Sequence, residues 1–206
     1  DGDGGFDGLS GVNDVVFSHD GRFAYVSGGS ESSLTVYSRD TATGELTLLQ
    51  KLEDGVDGAD GLLFVADIAL SADGTRLVTA GAGDDTLGVF DVNPTTGLVT
   101  FSHALTNGQN GITGLNQFSA IGISPDGKSV YTASQFQDII GVFHENGVTG
   151  ELERVTELIN GQNGVEGLDR VNSVEVSRDG RQVFATAGTD ETFLVYDREL
   201  TTGEMT

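Results

Sequence analysis

A four-residue turn, Ser-x-Asp-Gly, recurs along the chain at a constant interval of 53 residues. Its aspartates are Asp20, Asp73, Asp126 and Asp179. A fixed period of a few tens of residues is typical of stacked or closed repeat architectures. The period therefore predicts one supersecondary unit that is built four times, with each copy packed against its neighbours.

Each copy is predicted to be a four-stranded antiparallel meander. In the first copy a β-branched and aromatic run at 12–18 leads into the turn at Asp20. Asp-Gly between two apolar runs is a strong hairpin signal, because glycine accepts a positive φ without steric cost. The other strands of this copy are predicted at 23–27, 34–38 and 46–52. No stretch shows sustained helical spacing, so we expect an all-β chain.

Four-stranded units repeated in register predict a β-propeller, which limits exposed strand edges by arranging its sheets radially. We expect the units at 12–64, 65–117, 118–170 and, incompletely, at 171–206, with 1–11 as the tail of a preceding unit. Because the fourth copy lacks its last strand, we expect the chain to be a segment of a larger propeller.

The repeat resembles a known family. The segments that carry the resemblance are SPDGKSVYTA at 124–133, TLGVFD at 86–91 and TATGEL at 41–46. They are similar to the lactonase-like propeller repeats often called YVTN repeats, over nearly all of the chain. The resemblance implies a ring of seven or eight blades, with the first strand of each blade innermost and the fourth at the rim. It also implies a family that contains both sugar-lactone hydrolases and non-catalytic surface modules.

The charge of the chain excludes some classes of partner. Among 206 residues, 32 are acidic and 10 are basic, which gives a formal net charge of −22. So negative a protein disfavours nucleic acid and anionic membrane, and favours bound cations or a salty medium. No apolar run approaches the roughly 18 residues of a membrane span. We therefore expect no nucleic-acid partner and no membrane span.

The links between units are rich in aspartate followed by glycine. One link holds Asp54, Asp57 and Asp60, and the preceding copy holds Asp1, Asp3 and Asp7. The turns between second and third strands, at the same end of each sheet, are also acidic: Glu31, Asp84 with Asp85, Asp138, and Asp190 with Glu191. Calcium takes six to eight oxygen ligands, so the links are candidate Ca²⁺ sites. The alternative is that Asp-Gly serves only as a turn former.

Residues suited to catalysis are few. The three histidines, His19, His103 and His144, fall at different positions of the repeat, so we do not expect them to meet. There is no nucleophile elbow or phosphate-cradling loop. Asp14 and Asp67 recur near the start of the innermost strand and form the best pair facing a central channel. Alternatively, they bond neighbouring backbone amides.

Our first functional interpretation is a non-catalytic binding or structural module of a larger extracellular or cell-surface protein, such as an adhesin, with the periplasm as another location. An enzyme needs one asymmetric constellation, whereas similar repeats present a repeated surface. The expected partners are a protein or carbohydrate ligand on the loops, and other copies or further blades of the same polypeptide. The alternative interpretation is a lactonase-like hydrolase acting on a sugar lactone.

Overall fold

The computed structural model of the protein describes residues 8–118 and 120–206. These residues form fifteen β-strands. Across the two ranges, no helix has the length and apolar character that crossing a membrane would require. The predicted all-β fold is therefore confirmed.

The strands form four sheets in which successive strands are neighbours, and the paired strands are antiparallel. The first sheet contains β1 (Val12–Phe17), β2 (Phe23–Gly28), β3 (Ser33–Arg39) and β4 (Leu46–Glu53). The second contains β5 (Val65–Leu70), β6 (Arg76–Gly81), β7 (Thr86–Val92) and β8 (Val99–Thr106). The third contains β9 (Ala120–Ile123), β10 (Ser129–Ser134), β11 (Ile139–Glu145) and β12 (Leu152–Ile159). The fourth contains β13 (Val171–Val176), β14 (Gln182–Ala187) and β15 (Thr192–Asp197).

The repeated Ser-x-Asp-Gly turn joins the first two strands of each sheet. In the first copy Ser18 Oγ donates to Asp20 Oδ1 at 2.7 Å, and the Arg22 amide donates to the same oxygen at 3.1 Å. Gly21 has a φ of 69°, which a side chain would disfavour. The aspartate and the glycine therefore fix the hairpin. We call this end of each sheet the turn end, and the opposite end, with the links between sheets, the loop end.

A second backbone feature recurs where each link enters the next sheet. In every copy, a residue with a positive φ lies directly before the first strand of the sheet or within three residues of it. These residues are Gly11 (64°), Phe64 (48°), Gln117 (46°) and Arg170 (57°). The conformation is therefore common to the four copies, although the residue types differ.

Two compact units divide the chain, Asp1–Ala104 and Leu105–Thr206. In the first unit Leu34 and Val36 of β3 share a core cluster with Val65 and Ile68 of β5. In the second unit the equivalent residues form the corresponding cluster: Ile140, Val142, Val171 and Val174. Each unit is thus held together by apolar side chains from the third strand of one sheet and the first strand of the next.

The outward faces of β1 and β15 are exposed, although they are as apolar as the equivalent faces that are buried in the core. Val15 of β1 is 46% exposed, whereas Ile68, its equivalent in β5, is 2% exposed. Phe193 and Val195 of β15 are exposed, although their equivalents in β11 are buried. The exposed residues are as apolar as the buried ones, so these faces have the character of a blade-to-blade interface.

A buried arginine organises the turn end of the second unit. The Arg198 side chain is 1% exposed. Its guanidinium donates to the hydroxyl of Tyr131 at 2.9 Å, the Gly180 carbonyl at 3.0 Å and Ser129 Oγ at 2.7 Å. The Tyr131 hydroxyl donates to the Gly203 carbonyl at 2.7 Å. We call these hydrogen-bonded groups the Arg198 network. They connect the third and fourth sheets through polar contacts.

His144 belongs to this network and makes the stability of the protein depend on pH. Its Nδ1 lies 2.7 Å from Ser129 Oγ, which can donate to a neutral imidazole because Arg198 already donates to that oxygen. Burial and the Arg198 charge, with a smaller contribution from Lys128, lower the pKa of His144 below its ordinary 6.5, although Asp126 and Glu145 oppose the shift. The folded protein therefore favours neutral His144.

We expect the contribution of neutral His144 to the free energy of unfolding to be complete above about pH 6.5. It should be lost as the pH falls through the lowered pKa, because His144 then takes up a proton more readily in the unfolded chain than in the folded one. Urea unfolding of the wild type and His144→Gln between about pH 5 and 8 measures it. The difference in unfolding free energy between the two should change only in the lower part of this range. His19→Gln, in an exposed turn, is the control for the replacement of a histidine by glutamine. A pH-independent difference for His144→Gln would contradict the prediction.

Candidate functional site

Three carboxylates converge at the loop end of the first unit. Asp54 follows β4, Asp60 lies further along the same link, and Asp84 lies in the turn between β6 and β7. One oxygen from each lies within 4.8 Å of the others, and all three residues are half-buried. We call these residues the Asp54 cluster.

The three aspartates differ in their hydrogen bonds. Asp54 Oδ1 accepts from the Leu62 amide at 2.9 Å, and Asp60 Oδ1 accepts from the Gly61 amide at 2.9 Å. Asp84 Oδ1 is buried and has no hydrogen-bond partner within the described part of the chain. Burial raises the pKa of the Asp84 carboxyl, and the charges of Asp54 and Asp60 raise it further. The cluster is therefore a place of concentrated, incompletely solvated negative charge.

The structure brings together only part of the set that the sequence indicated. Asp54 and Asp60 meet, but Asp57 is not a member of the cluster: it is exposed and occupies a turn with a φ of 52°. The third member is Asp84, from the other set of acidic loops. Asp1, Asp3 and Asp7 lie outside the described residues. Sequence reasoning had placed both loop sets at one end of the sheet, but it did not identify which residues of the two sets would touch.

The two candidate channel residues also meet. Asp14 Oδ2 and Asp67 Oδ1 both accept from the backbone amide of Ile68, at 3.4 and 3.0 Å. Both aspartates are half-buried and lie near the start of β1 and β5. The equivalent residues in the other two copies are Ala120 and Ser173. A pair of carboxylates is therefore confined to the first unit, and paired carboxylates can serve as general acid and base.

The first unit also has a groove of about 570 Å³ between its outer strands. The groove is lined by Gln50 and Leu52 of β4 and by Val99 and Phe101 of β8, among others. The Gln50 amide fixes one wall, because it both donates to the Val99 carbonyl and accepts from the Val99 amide at 2.9 Å. Neither Asp14 nor Asp67 lines this groove, so it carries no argument for catalysis.

Comparison with known proteins gives a consistent result. The sequence profile of the family described as "Lactonase, 7-bladed beta-propeller" matches residues 7–110 and again residues 103–206. The 6-phosphogluconolactonase of Pectobacterium carotovorum subsp. carotovorum (strain PC1) is 29% identical over 154 residues, which is 74% of this chain and 44% of the relative. The chain thus spans less than half the length of this curated relative.

Solved structures agree on the fold. The periplasmic gluconolactonase of Pseudomonas aeruginosa is 26% identical with a TM-score of 0.60, over 72% of this chain and 40% of that one. A structure from Bacteroides uniformis ATCC 8492 has a TM-score of 0.72 at 18% identity, over 95% of this chain and 52% of that one. At 18% identity, the second likeness is evidence for the fold alone.

The comparisons correct the first functional interpretation. The curated relatives are named as lactonases, as is the Pseudomonas protein. The preference for a non-catalytic binding or structural module was therefore wrong, and the lactonase alternative is the better supported one. That preference rested on the similarity of the repeats, and it overlooked the asymmetry at Asp14 and Asp67. The family profile matches nearly the whole chain, and the protein belongs to the seven-bladed lactonase β-propeller family.

Proposed function

We propose that the propeller containing these blades hydrolyses a sugar lactone. The observation that carries the proposal is the match to the lactonase family over residues 7–110 and 103–206. The identity of 29% to a 6-phosphogluconolactonase supports it. The Asp14 and Asp67 pair supplies chemistry suited to the reaction, because it is the asymmetric element that an enzyme built from similar repeats requires.

In the proposed reaction a water oxygen attacks the carbonyl carbon of the lactone. One carboxylate of the pair accepts the proton that the water loses. The bond between the carbonyl carbon and the ring oxygen then breaks, and the carboxyl group that received the proton passes it to the ring oxygen, which becomes a hydroxyl group. The product is the open-chain hydroxy acid, so the two carboxyl groups end with the protons they began with.

The charge of the chain favours an uncharged lactone over a phosphorylated one. A net charge of −22 repels a phosphate group, and this repulsion extends over about 8 Å at physiological ionic strength and about 3 Å at 1 M salt. The charge of the substrate should therefore affect its encounter with the protein.

The test is the rate of acid release, followed at constant pH, from glucono-δ-lactone and from 6-phosphogluconolactone with the full-length protein. We expect a higher kcat/KM for the uncharged lactone. We also expect salt to raise kcat/KM for the phosphorylated lactone and to leave the other nearly unchanged. Spontaneous hydrolysis at each salt concentration is subtracted. Rates equal to the spontaneous ones for both lactones would overturn the proposed function.

The same proposal includes the packing of these blades against further blades and the location of the protein. The exposed apolar faces of β1 and β15 support packing against further blades, because their equivalents within each unit are buried by a neighbouring sheet. An extracytoplasmic location is proposed as well: extracellular, at the cell surface or periplasmic. It is supported by the acidic composition and by the description of the Pseudomonas aeruginosa relative as periplasmic.

A further inference from the structure

The chain contains five Asn-Gly sequences, and all of them lie in loops of the second unit. They begin at Asn107, Asn110, Asn146, Asn160 and Asn163. Asparagine before glycine is chemically labile, because glycine has no side chain to hinder attack by its backbone nitrogen on the side-chain amide of the asparagine. In a folded protein the attack also requires that the asparagine side chain be able to turn and that the glycine nitrogen be available.

Asn107 shows how hydrogen bonds can prevent this attack. Its Oδ1 accepts from the Leu115 amide at 3.3 Å, and the amide of the following Gly108 donates to the Ile112 carbonyl at 2.8 Å. Both bonds must break before the glycine nitrogen can reach the side chain. The same two bonds recur one copy later, where Asn160 Oδ1 and the Gly161 amide have these partners: the Leu168 amide at 3.1 Å and the Val165 carbonyl at 2.8 Å.

Asn146 is restrained in a different way. Its Oδ1 accepts from the amides of Val148 at 2.9 Å and Thr149 at 3.3 Å. Its Nδ2 donates to Glu153 Oε1 at 2.8 Å. Three hydrogen bonds therefore fix the orientation of this side chain. We call Asn107, Asn146 and Asn160 the restrained asparagines.

Asn110 and Asn163 are not restrained. They occupy equivalent positions in two successive links, both are exposed, and their φ values are 49° and 52°. Within the part of the chain that the structure describes, neither side chain has a protein hydrogen-bond partner, and neither do the amides of Gly111 and Gly164. Both requirements of the attack are therefore met at these two residues, which we call the unrestrained asparagines.

The fold accepts an aspartate at this position. In the copy before, the equivalent residue is Asp57, which is also followed by glycine, is also exposed and has a φ of 52°. Asparagine and aspartate both tolerate this left-handed conformation. Conversion of Asn110 or Asn163 to aspartate therefore leaves the turn a residue that it already holds elsewhere in the chain.

We propose that Asn110 and Asn163 are sites of spontaneous deamidation in the folded protein. The glycine nitrogen bonds to Cγ of the asparagine, the bond between Cγ and Nδ2 breaks, and the amide nitrogen leaves as ammonia with the proton that the glycine nitrogen loses. Water then opens the succinimide ring at one of its two carbonyl carbons and yields aspartate or isoaspartate. Each event adds one negative charge at the loop end of the second unit. The proposal does not depend on lactone hydrolysis.

The test compares the five sites within one chain. The full-length protein is incubated at mildly alkaline pH, with and without urea, and is digested at acidic pH for peptide mapping by mass spectrometry. Without urea, we expect the unrestrained asparagines to react at least tenfold faster than the restrained ones. A tenfold difference corresponds to about 1.4 kcal/mol, which the hydrogen bonds that must break can supply. In urea that unfolds the protein, the five rates should become similar.

The first unit offers a matched pair of variants with the same change in charge. Asp57→Asn places an asparagine at the position equivalent to Asn110 and should create a new reactive site. Asp54→Asn can keep the hydrogen bond from the Leu62 amide, and the amide of the glycine that follows it is already bonded. This second variant should therefore react as slowly as the restrained asparagines.

Three results would overturn the proposal. The first is conversion of the restrained asparagines in the folded protein as fast as the unrestrained ones. The second is no conversion of Asn110 and Asn163 in the folded protein when both react in urea. The third is equal reactivity of Asp54→Asn and Asp57→Asn. If a variant does not fold, the comparison within the wild-type chain decides the matter by itself.

Discussion

Replacing Asp14 or Asp67 by asparagine should lower kcat for lactone hydrolysis by roughly 10²–10⁴-fold, the usual contribution of a general acid or base. Both side chains accept from the Ile68 amide, and an asparagine oxygen can accept that bond as well. The substitution therefore keeps the local structure and removes only the ability to take a proton at neutral pH. Initial rates with glucono-δ-lactone at constant pH measure the effect.

The control for this experiment is Asp57→Asn. Asp57 is an exposed aspartate of the same unit, and it belongs neither to the Asp54 cluster nor to the Asp14 and Asp67 pair. Its replacement should change kcat less than twofold. Retention of wild-type rates by both Asp14→Asn and Asp67→Asn would show that the pair holds backbone amides and has no role in proton transfer. Lactone hydrolysis itself would then still stand, with its base elsewhere.

Replacing Arg198 by methionine should destabilise the protein by about 3 kcal/mol. The guanidinium makes three hydrogen bonds in a buried setting, and bonds from a charged donor contribute about 1.5–3 kcal/mol each before the cost of desolvating the charge is subtracted. Methionine fills much of the same space, but it leaves the Gly180 carbonyl without this donor. Urea unfolding monitored by circular dichroism should show a lower midpoint at an unchanged slope.

Arg39 is the matched control, because it occupies the position equivalent to Arg198 in the first sheet. It donates to the carbonyl of Gly21 at 3.2 Å, as Arg198 does to Gly180, but it is only half-buried. Arg39→Met should therefore cost less than about 1 kcal/mol. Equal losses for the two variants would mean that burial in the Arg198 network adds nothing to stability.

The repeat made the strands of the first sheet predictable to within a residue or two. The run predicted at 12–18 is the strand Val12–Phe17, and the run predicted at 46–52 is the strand Leu46–Glu53. The agreement has a physical cause. An Asp-Gly turn fixes both the end of one strand and the start of the next, and the apolar positions must then face a neighbouring sheet.

The sites were less predictable, because they depend on contacts between loops. That Asp84 rather than Asp57 joins Asp54 and Asp60 is decided by how the turn after β6 approaches the link after β4. No local propensity encodes such an approach. The joint replacement of the three residues in the next copy, Asn107, Thr113 and Gln137, was the one available signal, and it becomes meaningful only when the loops are compared as a set.

The Arg198 network was missed for a similar reason. Arginine at the end of a third strand looks like a solvated surface residue, and Arg39 in the equivalent position is half-exposed. Arg198 becomes buried because the neighbouring sheet offers the Tyr131 hydroxyl and Ser129 Oγ at the right place. In the copy before, those two positions are held by Val78 and Arg76, which could not form the same contacts.

The positive φ at the entrance to each sheet has a consequence for how such a protein can change. Residues as different as Phe64, Gln117 and Arg170 hold a conformation that costs about 1–2 kcal/mol for any residue with a Cβ. The backbone conformation at these positions is thus set by the strand that follows, and it depends little on the type of residue. These loop positions can exchange aromatic, amide and cationic groups while the backbone stays in place. A propeller of this kind can therefore acquire new side chains at its loop end without a change in the backbone of its sheets.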